Sequence, residues 1–360
     1  MKALLLFTTL LVSLSPYAAQ NELKIYNWFD YIPKDVITDF EQESGTKVIY
    51  DAYDSQEQLE AKLLTGASGY DLAFSGAVGI DRLISSGALQ KLDTASLSNL
   101  SNIDPQFMQL ERSVGDRANE YAIPYLWGTN IIGYNKEAVK AATGKDTIST
   151  WDDLLNPAAM EKLSACGVVF LDSPSEIMPI MLTYLGLPPE STSKDDYKKA
   201  ADYLKTIRPF VRYLNSSSFM ADIANGEICV AVAWDGALAV SAANAAKAGK
   251  DYTIALSLPP EGAPVWFDSM VIPKGATNTA AAHQFIDFLM RPDIIARCSN
   301  GAMYANPNLK ATPMVDASLR NDPAIYPSAE VTARLYPLQA LPLKAEQIRT
   351  RTWVNFKTNR

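Results

Sequence analysis

Residues 23–51 read LKIYNWFDYIPKDVITDFEQESGTKVIYD, and this stretch decides the fold class. Residues 24–28 read as a strand. Pro33 opens a helix whose apolar residues Val36, Ile37 and Phe40 share one face, and Gly45 stops it. Residues 46–51 form the next strand. Working outward, Ser55 with Gln58 makes a capping-box pattern for a helix that ends at Gly66. Residues 70–74 are a strand, and 81–86 a short helix closed by Gly87. Strand–helix alternation of this kind implies an α/β sheet covered on both faces.

The alternation continues in a second unit after residues 121–134, a strand-rich stretch with Pro124 and two glycines. It holds a strand at 168–171, helices at 174–185, 193–207 and 219–224, and a strand at 228–233. A strand at 265–272 and a helix at 279–290 follow. There is no internal repeat and no low-complexity linker, so two lobes must be joined by short crossing segments. The candidates are 131–134 and 257–267.

The chain has 360 residues, 48% hydrophobic and 20% charged, enough for two cores. Its net charge of -8 disfavours binding to a phosphate backbone, so a general nucleic-acid binder is not expected. Lys2, an apolar run over 3–14 and the turn-prone Ser15, Pro16, Ala18 and Ala19 read as a secretory leader over 1–19, cleaved after Ala19. No cysteine lies near that cut, so a lipid anchor is not expected. No later run is long enough to span a bilayer. The expected location is the periplasm, without membrane insertion.

In an oxidising compartment, two of the three cysteines, Cys166, Cys229 and Cys298, can pair. Cys166 precedes one strand and Cys229 lies in another, and one sheet could bring those two together. Three buried reduced cysteines are the other reading. Catalysis is disfavoured by inventory. The one histidine, His283, sits among alanines on a helix, which leaves little for a nucleophile–base pair or a zinc site. No phosphate loop or dinucleotide fingerprint is present. Neither a metal nor a cofactor is expected.

What recurs instead is aromatic residues beside carboxylates at strand ends: Asn27-Trp28-Phe29-Asp30-Tyr31, Trp234-Asp235-Gly236, Trp266-Phe267-Asp268 and the turn Asp172–Glu176, with Tyr304 and Trp127 adding rings. Taken singly these are core tryptophans and helix N-caps. Ligands of open α/β sheets bind beyond strand carboxyl ends, where rings can wall methylenes and carboxylates can fix ammonium groups. An alkyl diamine or triamine fits that alternation.

The sequence resembles the periplasmic polyamine-binding proteins, above all the putrescine-binding subunit of ATP-driven polyamine importers. The resemblance spans almost the whole mature chain. It is carried by Ile25-Tyr26-Asn27-Trp28, Ile123-Pro124-Tyr125-Leu126-Trp127, Gly133-Tyr134-Asn135, Cys166-Gly167-Val168, Phe170-Leu171-Asp172, Ala224-Asn225-Gly226-Glu227, Phe267-Asp268, Tyr304-Ala305-Asn306 and Arg349-Thr350-Arg351. It implies a two-lobed type II periplasmic-binding fold with the ligand in the interlobe cleft, and a disulfide between Cys166 and Cys229. It also implies ligand contacts at Trp28, Asp30, Tyr31, Glu176, Trp234, Asp268 and Tyr304, with Ser216 matching a lining serine and Trp266 an aromatic position. Three positions depart from the pattern: Phe29 replaces Ser or Thr, Gly76 replaces Ser, and Ala237 replaces an Asp, for which Asp235 could compensate.

The expectation is thus a monomeric solute-binding protein that passes a putrescine- or spermidine-class polyamine to inner-membrane permease subunits. One lobe should comprise 22–132 and 259–327, the other 133–258, with 328–360 packing across both. A periplasmic sensor subunit is the alternative, and an enzyme using Cys166 a distant one.

Overall fold

A computed structural model describes residues 21–29, 31–53 and 55–358. The expected leader and the candidate Asp30 lie outside the described residues. Strand β1 (Glu22–Trp28) pairs in parallel with β2 (Lys47–Tyr53) and β3 (Leu72–Gly76). The helix Lys34–Ser44 makes the first crossover and drives Phe40 against Phe285 and Phe288, with ring centroids 4.7 and 5.4 Å away. Ser55 accepts from the Gln58 N–H and caps Gln56–Leu63, which stops short of the expected Gly66. The helix expected at 81–86 instead springs directly from β3 as Ala77–Ser85.

Strand β4 (Ala122–Asn135) is buried along all 14 residues and organises the rest. After it come β5 (Val168–Phe170), β6 (Val211–Leu214), β7 (Val230–Trp234), β8 (Ile254–Ser257), β9 (Pro264–Val271) and β10 (Tyr336–Pro337). The sheet runs β2-β1-β3-β9-β4-β7-β5-β6, with β8 on β4 and β10 on β9. From Ala122 to Thr129, β4 pairs antiparallel with β9. From Asn130 onward its partners are β7 and β8. The change of partner falls between Thr129 and Asn130, just before the crossing expected at 131–134. Thr129, the last residue of β4 to pair with β9, donates its N–H and hydroxyl to Asp235 at that point. Between β8 and β9 the chain passes from a strand paired with the second half of β4 to one paired with its first half.

Apolar burial divides at the same line. One core gathers Ile131, Trp151, Phe170, Met181, Leu204, Val232 and Leu238. The others gather Ile25, Phe40, Phe74, Phe267, Phe285 and Leu289, and Tyr53, Leu59 and Ile80. The helix Leu343–Lys357 inserts Trp353 and Phe356 into the first core. Its Trp353 indole donates to Asp172 at 2.9 Å, and Lys357 pairs with the same carboxylate. That strand-end carboxylate therefore holds the C-terminal helix. His283 is a staple: Nδ1 donates to the Thr279 carbonyl and Nε2 accepts from the Asp93 N–H, each at 2.8 Å. Among the described residues no helix is long and apolar enough to cross a membrane.

Cys166 and Cys229 form a disulfide, with Cα atoms 5.4 Å apart, and Cys298 is a buried free thiol. A cysteine held in a disulfide has no thiolate to attack with, which removes Cys166 as a nucleophile. The bridge ties the loop before β5 to the loop before β7. Denatured protein purified without reductant should titrate one thiol per chain. Cys166→Ser/Cys229→Ser should lose about 2–4 kcal/mol of stability in denaturant melts. Three free thiols, or an unchanged midpoint, would contradict the bridge.

Candidate functional site

Strand ends on both sides of the β4 partner change converge. From β1, Trp28 packs its ring 4.4 Å from Tyr53. The loop after it brings in Tyr31, whose carbonyl accepts from the Tyr125 hydroxyl at 2.9 Å. The buried Tyr31 hydroxyl donates to Asp268 Oδ2 at 2.7 Å. Asp268 lies on β9, opposite Gly76 of β3, and is 7% exposed. Burial pushes its carboxyl up to about 6; the Tyr31 bond opposes that rise and the negative Glu176 adds to it.

Trp266 sits two residues earlier on β9, so strand alternation gives it the same face as Asp268. Its ring lies over Gly128 of β4, where a Cβ would come within 2.6 Å. Trp266 meets Tyr304 edge-on at 5.0 Å, and Tyr304 meets Tyr31 at 6.1 Å. Tyr304 in turn covers Gly236, where a Cβ would come within 2.4 Å of its ring. Two glycines thus let rings approach backbone closely. Burial, then the charges of Asp235 and Asp268, hold the Tyr304 phenol well above its ordinary range.

The facing wall comes from the other core. Glu176 lies in the first turn of the helix Pro174–Tyr184. Its Oε1 accepts from the Trp234 indole N–H at 2.6 Å and from Asn130 Nδ2 at 3.3 Å. Burial raises its pKa; bonds from Ser173, Trp234 and Asn130 oppose the rise, and the exposed Glu57 adds to it. Trp234 ends β7 and pairs with Asn130. The next residue, Asp235, is fully buried and opens the helix Asp235–Lys247. Its Oδ2 accepts from the Thr129 N–H at 2.9 Å and hydroxyl at 3.1 Å, and its Oδ1 from the Gly236 N–H at 2.8 Å. Burial pushes Asp235 up to about 7 against those bonds.

The structure thus gathers Trp28, Tyr31, Glu176, Trp234, Asp235, Trp266, Asp268 and Tyr304. Ser216 stands at the edge, accepting from the Asp172 N–H at 3.0 Å. Of the departures, Phe29 is 72% exposed and Ala237 is buried near the Tyr304 phenol. A Cβ at Gly76 would stand 3.2 Å from Gln56 Oε1 and 3.6 Å from Asp268 Oδ1, so the Gln56 amide occupies that flank. Sequence reasoning missed Asn130, Gln56 and Glu57. The pair Thr129–Asn130, polar inside an apolar strand stretch, was the available signal.

Among the described residues, no lysine or arginine forms an ion pair with Asp235, Glu176 or Asp268. Nor do these residues group three or more His, Cys, Asp or Glu as metal ligands. Two carboxylates between ring walls, held only by neutral donors, can receive a cation with an apolar body.

Residues 35–327 match the family described as bacterial extracellular solute-binding protein. The chain is 42% identical to the putrescine-binding periplasmic protein PotF of Escherichia coli K12, over 95% of this chain and 93% of that one. It is 44% identical to the putrescine-binding periplasmic protein SpuD of Pseudomonas aeruginosa UCBPP-PA14, over 95% and 94%. The spermidine/putrescine transporter substrate-binding protein PotD of Streptococcus pneumoniae superposes with a TM-score of 0.83 at 25% identity, over 94% and 99%.

The raised carboxyls predict a pH dependence. A folded pKa above the unfolded value, as for Asp268, Asp235 and Glu176, means that the folded state binds the extra proton. Their stabilisation is full below about pH 4 and is lost as pH rises through about 6 to 7. The unliganded protein should melt at falling temperature from pH 5 to pH 8, and Asp268→Asn should flatten the slope. A melting temperature that climbs over this range would contradict the burial of these groups.

Proposed function

We propose that this chain, which belongs to the bacterial extracellular solute-binding proteins, captures a linear polyamine between two lobes in the periplasm and presents it to the permease of an ATP-driven importer. Its role is to bind a solute; members of this family are not enzymes. The observation that carries the polyamine reading is a pair of carboxylates, the buried Asp268 and the half-buried Glu176, each bonded by neutral donors and separated by aromatic walls. A chain of methylenes with an ammonium at either end supplies both missing charges. The rings of Trp28, Trp234, Trp266 and Tyr304 would wall the methylenes.

The functions of the relatives, putrescine binding in two of them and spermidine/putrescine transport in the third, support the same class. The two-lobe division at 22–132 with 259–327 and at 133–258 is supported by the separate cores and by β4 changing partners. Closure would turn on β4 and the β8–β9 crossing. Asp235, with both oxygens engaged at Thr129 and Gly236, acts in this reading as a clamp beside that pivot. Ala237 adds no third carboxylate beside this pair, which favours a triamine able to reach further acceptors.

Titration calorimetry tests this. Spermidine should bind more tightly than putrescine, and 1,4-butanediol should not bind. Asp268→Asn should weaken spermidine binding on the order of a hundredfold, about 3 kcal/mol, because a desolvated ammonium loses its counter-charge. Trp234→Ala should cost less. Tight binding of the neutral diol, or full affinity in Asp268→Asn, would contradict the reading.

A further inference from the structure

We propose that Asn130 is a ligand-binding residue, its side-chain carbonyl oxygen accepting a hydrogen bond from the same ammonium group that Glu176 neutralises. The inference rests on the polyamine reading above and adds a contact within it. Asn130 is 0% exposed, and its Oδ1 has no hydrogen-bond partner within the protein. Its amide orientation is set by chemistry: Nδ2 donates to Glu176 Oε1, and an ionised carboxylate can only accept. Oδ1 is therefore the free end.

Buried acceptors are rarely left unpaired, and each such case calls for a cause. Here the neighbours supply no donor for it. The Trp234 indole N–H, on the residue paired with Asn130, is already committed to Glu176. An ammonium carries N–H donors enough to satisfy the carboxylate and the amide oxygen together. A neutral or anionic solute lacks the charge that Glu176 requires.

The backbone keeps Asn130 in place. Alternation along β4 sends Thr129 to the opposite face, where Asp235 holds both its N–H and its hydroxyl. Asn130 begins the stretch of β4 that pairs with β7. The proposed contact therefore lies at the pivot between the two cores, and its geometry is set by the sheet rather than by a loop.

The experiment is calorimetry of the full chain with spermidine and putrescine, for the wild type, Asn130→Ala, Asn130→Ser and Asn130→Asp. Thermal melts of the unliganded proteins accompany it. Asn130→Ala and Asn130→Ser should each bind about tenfold more weakly, the scale of a hydrogen bond to a charged group. Both also lose the Nδ2 bond to Glu176, so each unliganded variant should still fold and melt modestly below the wild type. Should Asn130→Ala fail to fold, the smaller change Asn130→Ser carries the test. Asn130→Asp keeps the acceptor and loses the donor to Glu176, so it should retain more affinity than Asn130→Ala. If Asn130→Asp binds as weakly as Asn130→Ala, the residue works only by positioning Glu176 and the inference falls. Unchanged affinity in Asn130→Ala would also overturn it, while leaving the polyamine reading intact. A wild type that binds no polyamine would overturn both.

Discussion

Asp268 is a carboxylate taken out of water and Glu176 one half withdrawn from it, neither with a cationic partner among the described residues, and the site is arranged around that electrostatic debt. Each is held by neutral donors: Tyr31 on one, Trp234 and Asn130 on the other. Such bonds offset part of the desolvation cost but supply no opposite charge. The raised pKa values express the remainder. Pairing with a protein lysine or arginine would relieve it and would also block a cationic ligand. The unliganded fold is therefore less stable than its sequence could have made it, which is a common cost of keeping a binding site.

Three consecutive residues of β4 connect this electrostatics to the architecture. Gly128 admits the Trp266 ring, Thr129 is clamped by Asp235, and Asn130 bonds Glu176. Trp266 belongs to β9, Asp235 follows β7, and Glu176 follows β5, so one short stretch of strand sets the relative positions of groups from both cores. The same three residues bracket the point where β4 exchanges β9 for β7. A substitution there would disturb the partner exchange of β4 and the site together.

Much of this was legible in the chain. The alternation around β1 and β2, the helix stop at Gly45 and the cap at Ser55 are local signals, and local geometry honours them. The residues of the recurring aromatic–carboxylate pairs are brought together by the fold, because strand ends converge in an open sheet. What stayed hidden is non-local. Asp172 and Glu176 share one turn, yet Trp353 and Lys357 from a distant helix take the first and leave the second to Trp234 and Asn130. Asp235 looks like Asp268 in sequence, each beside an aromatic, but the Thr129 N–H and hydroxyl from β4 and the Gly236 N–H satisfy it. Asn130 carries no motif, and its unpaired oxygen emerges only from the packing of β4 against β7.

The account turns on charge neutralisation of buried carboxylates, and proton linkage reports that most directly. Spermidine binding should be measured by calorimetry at pH 6 and pH 8 in buffers of different ionisation enthalpy. At pH 6 Asp268, with its pKa raised to about 6, is partly protonated before binding, and the incoming cation should expel that proton into the buffer. The heat should therefore vary with the buffer at pH 6, in the sense of net proton release, and vary less at pH 8. Buffer-independent heats at pH 6, or proton uptake, would contradict the claim that the ligand's charge completes these carboxylates.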